Sequence, residues 1–370
     1  MQRATFMRTV LAACAALAFA GSAAAQEITL KVSHFWPPAA MPPSKFLVPW
    51  CDKIAAESQG RMKCQIFPAM QLGGTPPQLY DQARDGIADI VWTLPGYTAG
   101  RFPIMEVFEL PFMTYNAESA SKAAWDFYTK YATKEFAGVK VLAVNVHDQG
   151  YVHTRDKQIK TLADFKGVKM RAPTRQTNRM LAAFGATPVS MPVPAVTDAV
   201  SKGVVDGYVL PWEVIPSIKA HEVVKYHTET DPQMPALYTA VFLLAMNPKK
   251  YESLPPDLKA IIDRNSGFET SGALGRLWDA SKPPGRQPAV DRGNTFYTVP
   301  ATELSQWERA TRVLYADWIS DMNKRGHDGN AMLADARALI TKYAATVPAQ
   351  PAKAAVPAKK ADAKAADAKK

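Results

Sequence analysis

Thr161–Trp212 reads TLADFKGVKMRAPTRQTNRMLAAFGATPVSMPVPAVTDAVSKGVVDGYVLPW. The spacing predicts consecutive strand–helix units. Val168–Arg171 forms a short strand that runs into Ala-Pro, and Thr174–Phe184 forms a helix stopped by Gly185. Thr187–Met191 is a second strand, and Val196–Lys202 is a second helix stopped by Gly203. Val204–Leu210 is a third strand, closed by Pro211. In open α/β sheets, ligands bind where loops leave the carboxyl ends of strands. Arg171 takes that kind of position, and its guanidinium is a planar fork matched to a carboxylate. On residue type alone it serves either as an anion ligand or as half of a structural ion pair.

Outward from this stretch the same alternation continues. Strands are expected at Ile28–Trp36, Met62–Phe67, Ala88–Leu94, Val139–Val146, Val223–His227, Tyr238–Met246 and Asn294–Val299. Helices are expected at Ser44–Ser58, Pro76–Asp85, Ala117–Tyr131, Pro255–Trp278 and Thr302–Asn323, with Pro283-Pro284 kinking or ending the helix before it. Asp85–Pro95 and Lys202–Pro211 echo one another: a helix end, a Gly, an Asp, a strand and a Leu-Pro exit. One copy in each half predicts two α/β lobes with a cleft between their strand ends. Trp36, Tyr97 and Trp212 stand at or just beyond such exits and suit a cleft wall, with Thr93 and Tyr208 on the strands behind them. His153 follows the strand Val139–Val146 and serves either as a ligand hydrogen-bond partner or as a structural histidine. Arg175 and Arg179 read as solvated helix charges.

The two ends stand apart from this pattern. Residues 1–25 combine Arg3 and Arg8 with a short apolar run and Ala23-Ala24-Ala25, the signature of a secretory signal peptide and hence of an exported, periplasmic protein. Residues 347–370 are an Ala/Lys/Pro tail with almost no large apolar side chains, expected to be disordered. These ends carry most of the net charge of +10. What remains on the core is mild, which removes the case for a nucleic-acid partner and leaves a field suited to small anions. Of the three cysteines, Cys14 lies in the signal segment. Cys51 and Cys64 lie on a predicted helix and the strand after it, and in an oxidising compartment they form a disulfide or remain two free thiols. Motifs for a nucleophile elbow, a zincin, a P-loop or a dinucleotide fold are absent, so no enzyme, metal or cofactor is expected.

Several ordered segments resemble the solute-binding proteins of tripartite ATP-independent periplasmic (TRAP) transporters, the DctP family. Leu162–Pro173 resembles their "dLkGlKiRvp" motif, Phe184–Val189 their "lGAnPv", Ala199–Gly207 their "aLqtGvvDG", and Gln71–Asp89 their "qLGg…l…v..G..D". The match runs in order over Ile28–Arg325.

The resemblance implies a type II-like periplasmic binding protein with two α/β lobes, crossover strands and a long spine helix. On that frame residues 26–150 form lobe 1, with later chain segments crossing back into it, 151–245 lobe 2, and 246–346 the C-terminal helices that span both. It implies closure on an organic acid, Arg171 pairing with the carboxylate, and two integral membrane permease subunits as partners; a monomer is expected, with a dimer left open.

Two departures narrow the ligand. Dicarboxylate-binding members carry Glu-Asn before the Pro of the "DGqeNP" loop, where this chain has Val209 and Leu210. An Arg that members often carry after the Gly of "GfR" is missing from Gly150-Tyr151-Val152, and His153 follows. A second carboxylate facing Leu210 would lose its water without gaining a partner, at a cost of several kcal/mol. An apolar tail gains about 25 cal/mol per Å² buried. The expected ligand is therefore a monocarboxylate with a hydrophobic or aromatic body, lined by Trp36, Tyr97, Leu210 and Trp212. A C4-dicarboxylate binder and a ligand-loaded sensor partner are the alternatives.

Overall fold

The computed structural model describes residues 27–347, so the expected signal peptide and nearly all of the tail lie outside the described residues. The strands are Ile28–His34 (β1), Met62–Phe67 (β2), Ile90–Thr93 (β3), Lys140–Val146 (β4), Tyr151–Thr154 (β5) and Lys169–Ala172 (β6). They continue as Thr187–Ser190 (β7), Gly207–Leu210 (β8), Tyr226–Glu229 (β9), Val241–Met246 (β10) and Thr295–Thr298 (β11). Two sheets result, one ordered β2-β1-β3-β10-β4 and the other β11-β9-β5-β8-β6-β7.

Each sheet is parallel except for one inserted strand. β10 runs antiparallel between β3 and β4, and β5 runs antiparallel between β8 and β9. The chain thus leaves the first sheet after β4, enters the second as β5, and returns from β9 to β10. These two crossings make the molecule two-lobed. β10 falls within the 151–245 stretch read as lobe 2, yet it pairs in the first sheet. β5 was not legible as a strand: all four of its residues are buried, so it shows no apolar–polar alternation.

The α/β units of the opening stretch form as read. The helices are Arg175–Ala183 and Val196–Ser201. Thr174 caps the first, its side chain accepting from the Thr177 N–H. A disulfide joins Cys51 to Cys64, tying the helix Val48–Glu57 to β2.

The C-terminal helices depart from expectation. The predicted helix Pro255–Trp278 is two helices, Pro256–Arg264 and Phe268–Asp291, broken where Gly267 adopts φ 87°. The second runs straight through Pro283, Pro284 and Pro288. Tertiary packing overrides the proline penalty of about 3 kcal/mol or more. At Gly275 the helix backs onto the main chain of Ala117 and Glu118 in the first lobe, and at Gly285 onto that of Trp212 and Glu213 in the second. Asp279 accepts the N–H groups of Ala117 and Glu118, both at 2.9 Å. Arg286 pairs with Glu229 at 2.8 Å. This is the spine. Two further helices, Ala301–Lys324 and Gly329–Ala344, complete the chain, the latter unread in the sequence. Among the described residues no helix is long and apolar enough to cross a membrane.

A Cβ at Gly285 would lie 2.4 Å from the Trp212 carbonyl oxygen, a contact with backbone that no rotamer change relieves. Gly285→Ala should therefore cost about 1–3 kcal/mol. The check is the urea midpoint, and an unchanged midpoint would show that the spine can slide on the second lobe.

Candidate functional site

A cavity lies where the two sheets present their strand ends to each other. The first lobe contributes Phe35, Trp36, Leu94, His147, Tyr238 and Phe242, and the second contributes Arg171, Pro173, Val193, Leu210, Pro211 and Glu213. Both Leu-Pro exits of the sequence echo reach this region: Leu94 and Leu210 face the cavity from β3 and β8. Its free volume is about 20 Å³, room for about one water.

Arg171 sits on β6 between β7 and β8, opposite Val189 on one side and Tyr208 on the other. It is fully buried. Its Nε donates to the Met191 carbonyl at 2.9 Å and its Nη1 to the Val209 carbonyl at 3.1 Å. Nη2 has no partner. No carboxylate of the described residues lies within salt-bridge distance of it. Burial destabilises its charge, and the groups that favour the charge are the hydroxyls of Tyr97 and Tyr238. A guanidinium fixed by two neutral carbonyls, with one nitrogen left open, is arranged to receive an anion.

Tyr97 reaches across from the first lobe. Its hydroxyl accepts the Val193 N–H at 3.0 Å and lies beside the guanidinium. The Tyr238 hydroxyl is buried without a partner. Its ring is packed so tightly on Gly150 that a Cβ there would fall 2.0 Å from it. His147 lies edge-on to Tyr238, centroids 5.2 Å apart, with Nδ1 against the Asp148 carbonyl. Burial lowers its pKa to about 4, so the ring is neutral at pH 7.

The apolar side is aromatic. Trp36 stacks on Phe35 at 4.1 Å and on Phe242 at 5.6 Å.

Of the residues expected at the site, Arg171, Trp36 and Leu210 line the cavity and Tyr97 touches its cation. His153, Trp212, Tyr208 and Thr93 do not line it. His153 uses both ring nitrogens elsewhere: Nε2 bonds the Leu210 carbonyl at 3.1 Å and Nδ1 meets His227 Nδ1 at 2.7 Å. Only an N–H can bond a carbonyl, so His153 Nδ1 is the acceptor and His227 Nδ1 the donor, leaving His227 Nε2 to accept from Asn294 at 2.9 Å. Burial holds both rings neutral, His153 near pKa 4 and His227 near 2. Tyr208 stacks on His153, and Trp212 donates to Glu229 at 2.9 Å behind the sheet. Thr93 is buried in β3 opposite Leu243. Missed from the sequence were His147, which directly follows the strand Val139–Val146, Glu213, just past the second Leu-Pro exit, and Tyr238.

Charged contacts close the seam beside the cavity. Arg175, read as a solvated charge, pairs with Glu106 of the first lobe at 2.6 Å and reaches Asp321 at 3.3 Å. Gln176 donates to the same Glu106 oxygen at 2.7 Å. Arg179 stays near the surface, 3.8 Å from Asp317. Glu109, one turn on, accepts the Val241 N–H at 3.2 Å and is otherwise enclosed. Burial, then the neighbouring Glu106 charge, raises its carboxyl to about 8.

A family model described as bacterial extracellular solute-binding protein, family 7 (DctP), matches residues 32–321. A TRAP solute-binding protein from Rhodoferax ferrireducens T118, solved with copurified benzoate, is 53% identical with a TM-score of 0.85, over 86% of this chain and 99% of that one. A marine metagenome TRAP protein described as specific for aromatic acid ligands, solved with 3-hydroxybenzoate, is 48% identical with a TM-score of 0.84, over 86% and 99%. A Bordetella bronchiseptica TRAP protein solved with (R)- and (S)-mandelate is 28% identical with a TM-score of 0.79, over 85% and 99%.

Two outcomes follow from the seam. Glu106→Ala should speed ligand release and weaken binding by about 10- to 100-fold, since charge-assisted bonds are worth about 1.5–3 kcal/mol each; stopped-flow dissociation reads this, and an unchanged off-rate would remove Glu106 from closure. Glu109 has a folded pKa above its unfolded value. Its stabilising effect is therefore full below about pH 4.5 and is lost as pH rises through about 8. Glu109→Gln keeps the acceptor for Val241, so its stability relative to the wild type should grow with pH across that window, as melting temperatures from pH 5 to 9 would show.

Proposed function

Because the chain belongs to the DctP family of bacterial extracellular solute-binding proteins, a family of receptors and not of enzymes, we propose that it captures an aromatic monocarboxylate between its lobes and presents it, in the periplasm, to two integral membrane TRAP permease subunits. The observation that carries this reading is the open Nη2 of the fully buried Arg171. The ligand carboxylate takes that nitrogen and the unpartnered Tyr238 hydroxyl. A charge-assisted pair of this kind nets about 1.5–3 kcal/mol, and exclusion of water strengthens it.

The rest of the wall favours one carboxylate over two. Arg171 is the single cation among the cavity-lining residues, and His147 is neutral at pH 7. A second carboxylate would meet Leu210, Leu94 or the rings of Phe35, Trp36 and Phe242. Stripping its water without replacement costs several kcal/mol. A flat aryl ring instead stacks on Trp36 and Phe242 and buries its apolar surface there. The benzoate, 3-hydroxybenzoate and mandelate held by the similar proteins belong to this chemical class.

Calorimetry and thermal shift with benzoate and mandelate against succinate and malate test the reading. The aryl acids should bind and raise the melting temperature, while the dicarboxylates bind at least about 100-fold more weakly. Arg171→Met should abolish binding without lowering the melting temperature of the ligand-free protein, because it removes a buried cation that no carboxylate neutralises. Stabilisation by succinate alone, or near-native benzoate affinity in Arg171→Met, would overturn the proposal.

A further inference from the structure

Glu213 follows the second Leu-Pro exit and also lines the cavity. Its position is fixed from behind, where the spine at Gly285 presses on its main chain; a Cβ on Gly285 would sit 2.9 Å from the Glu213 Cα. The side chain is buried, and its Oε2 has no hydrogen-bond partner. Nothing in the carboxylate grip of Arg171 and Tyr238 uses this atom. A buried, unpartnered polar atom in a cavity wall is unfavourable unless a ligand satisfies it.

The groups around it define what it can accept. Asp148, on the crossing after β4, presents a carboxyl whose two oxygens are also buried and unpartnered. Tyr238 stands on the side toward Arg171, and the indole N–H of Trp278 faces the Glu213 carboxyl from the spine without closing a hydrogen bond. Lys282, which donates to Gln149 at 2.8 Å, favours the charged form of Asp148. Burial and then the Asp148 charge push the Glu213 carboxyl well above the usual range. A neutral carboxyl does not repel the ligand anion. It offers one O–H and one C=O, the complement of a hydroxyl group.

We propose that Glu213 is a specificity-determining residue that hydrogen-bonds a hydroxyl substituent on the ligand ring, so that the site prefers hydroxyaryl carboxylates to unsubstituted ones. The proposal rests on the aromatic-acid reading above and adds to it the residue that reads the ring. Tyr238 is the competing reader, since its hydroxyl is also open. Its place beside Arg171 assigns it to the carboxylate, which every ligand of the class carries.

Calorimetric affinities of benzoate and of its 2-, 3- and 4-hydroxy derivatives, measured on wild type, Glu213→Leu, Glu213→Gln and Tyr238→Phe, test this. At least one hydroxy isomer should bind the wild type about tenfold tighter than benzoate does. Glu213→Leu should bring that ratio to about one while benzoate binds as well or better, because the substitution removes the unsatisfied carboxyl. Glu213→Gln, which keeps a donor and an acceptor, should retain the preference. Tyr238→Phe should weaken all four acids together and leave the ratio unchanged. No hydroxy isomer exceeding benzoate, a ratio that survives Glu213→Leu, or a ratio that disappears in Tyr238→Phe would each overturn the assignment of Glu213 and leave the aromatic-acid reading intact. Failure of benzoate and all three isomers to bind the wild type would remove both.

Discussion

A cation buried with no carboxylate to neutralise it is the constraint on which this structure turns. Arg171 is wholly enclosed, and the groups that hold it are two backbone carbonyls, with the Tyr97 and Tyr238 hydroxyls nearby. Dipoles of this kind orient a guanidinium and offset part of its lost hydration without cancelling its charge. An internal Asp or Glu would have stabilised the ligand-free protein more, but a ligand would then have to displace it. The carbonyl arrangement leaves the charge available and its geometry fixed before binding, which limits the ordering cost at the moment of capture. That arrangement requires β6 to lie between β7 and β8, because the two carbonyls come from the exits of those flanking strands. Sheet order and ligand chemistry are therefore one design.

The lobes are arranged so that closure, not the rigid shape of either one, completes the site. The aromatic wall, His147 and Tyr238 belong to the first lobe, while Arg171, Leu210 and Glu213 belong to the second. Tyr97 bridges them through the Val193 N–H, and Glu106 bridges them through Arg175 and Gln176. The covalent connections are few. They are the crossings after β4 and before β10, and the spine that grips the first lobe at Gly275 and the second at Gly285. A hinge of this type moves whole lobes while each keeps its own sheet, consistent with a ligand entering a space that is nearly filled when the lobes meet.

What the sequence revealed followed from local physics. Val168–Pro211 was legible because Gly185, Gly203 and Pro211 punctuate short apolar runs whose type is set by spacing. The Leu-Pro echo located two cavity walls because such an exit ends a strand wherever it occurs. What stayed hidden depended on distant contacts. β5 is buried on both faces and has no alternation to read. The spine continues through three prolines because close packing at Gly275 and Gly285 holds it there. His153 carries the same sequence signal whether it meets a ligand or a second histidine, and only the position of His227, 74 residues later, decides which. Tyr238 gave no local signal, and Glu213 gave only its place just past the second Leu-Pro exit, since a cavity wall is a property of two lobes.

The loop after β8 shows how such a site changes ligand without changing fold. Val209 contributes its carbonyl to Arg171 and Leu210 contributes its carbonyl to His153, so both hold the framework through main-chain atoms. Their side chains are free of that duty. A polar side chain at position 210 would leave the carbonyl lattice and the arginine untouched while placing a polar group in the wall. Leu210 makes the wall apolar there, and an open polar atom lies three residues on, at Glu213 Oε2. On the proposed reading, the anion anchor is held by the backbone carbonyls around Arg171, whereas the ligand body meets side chains that can vary independently of it.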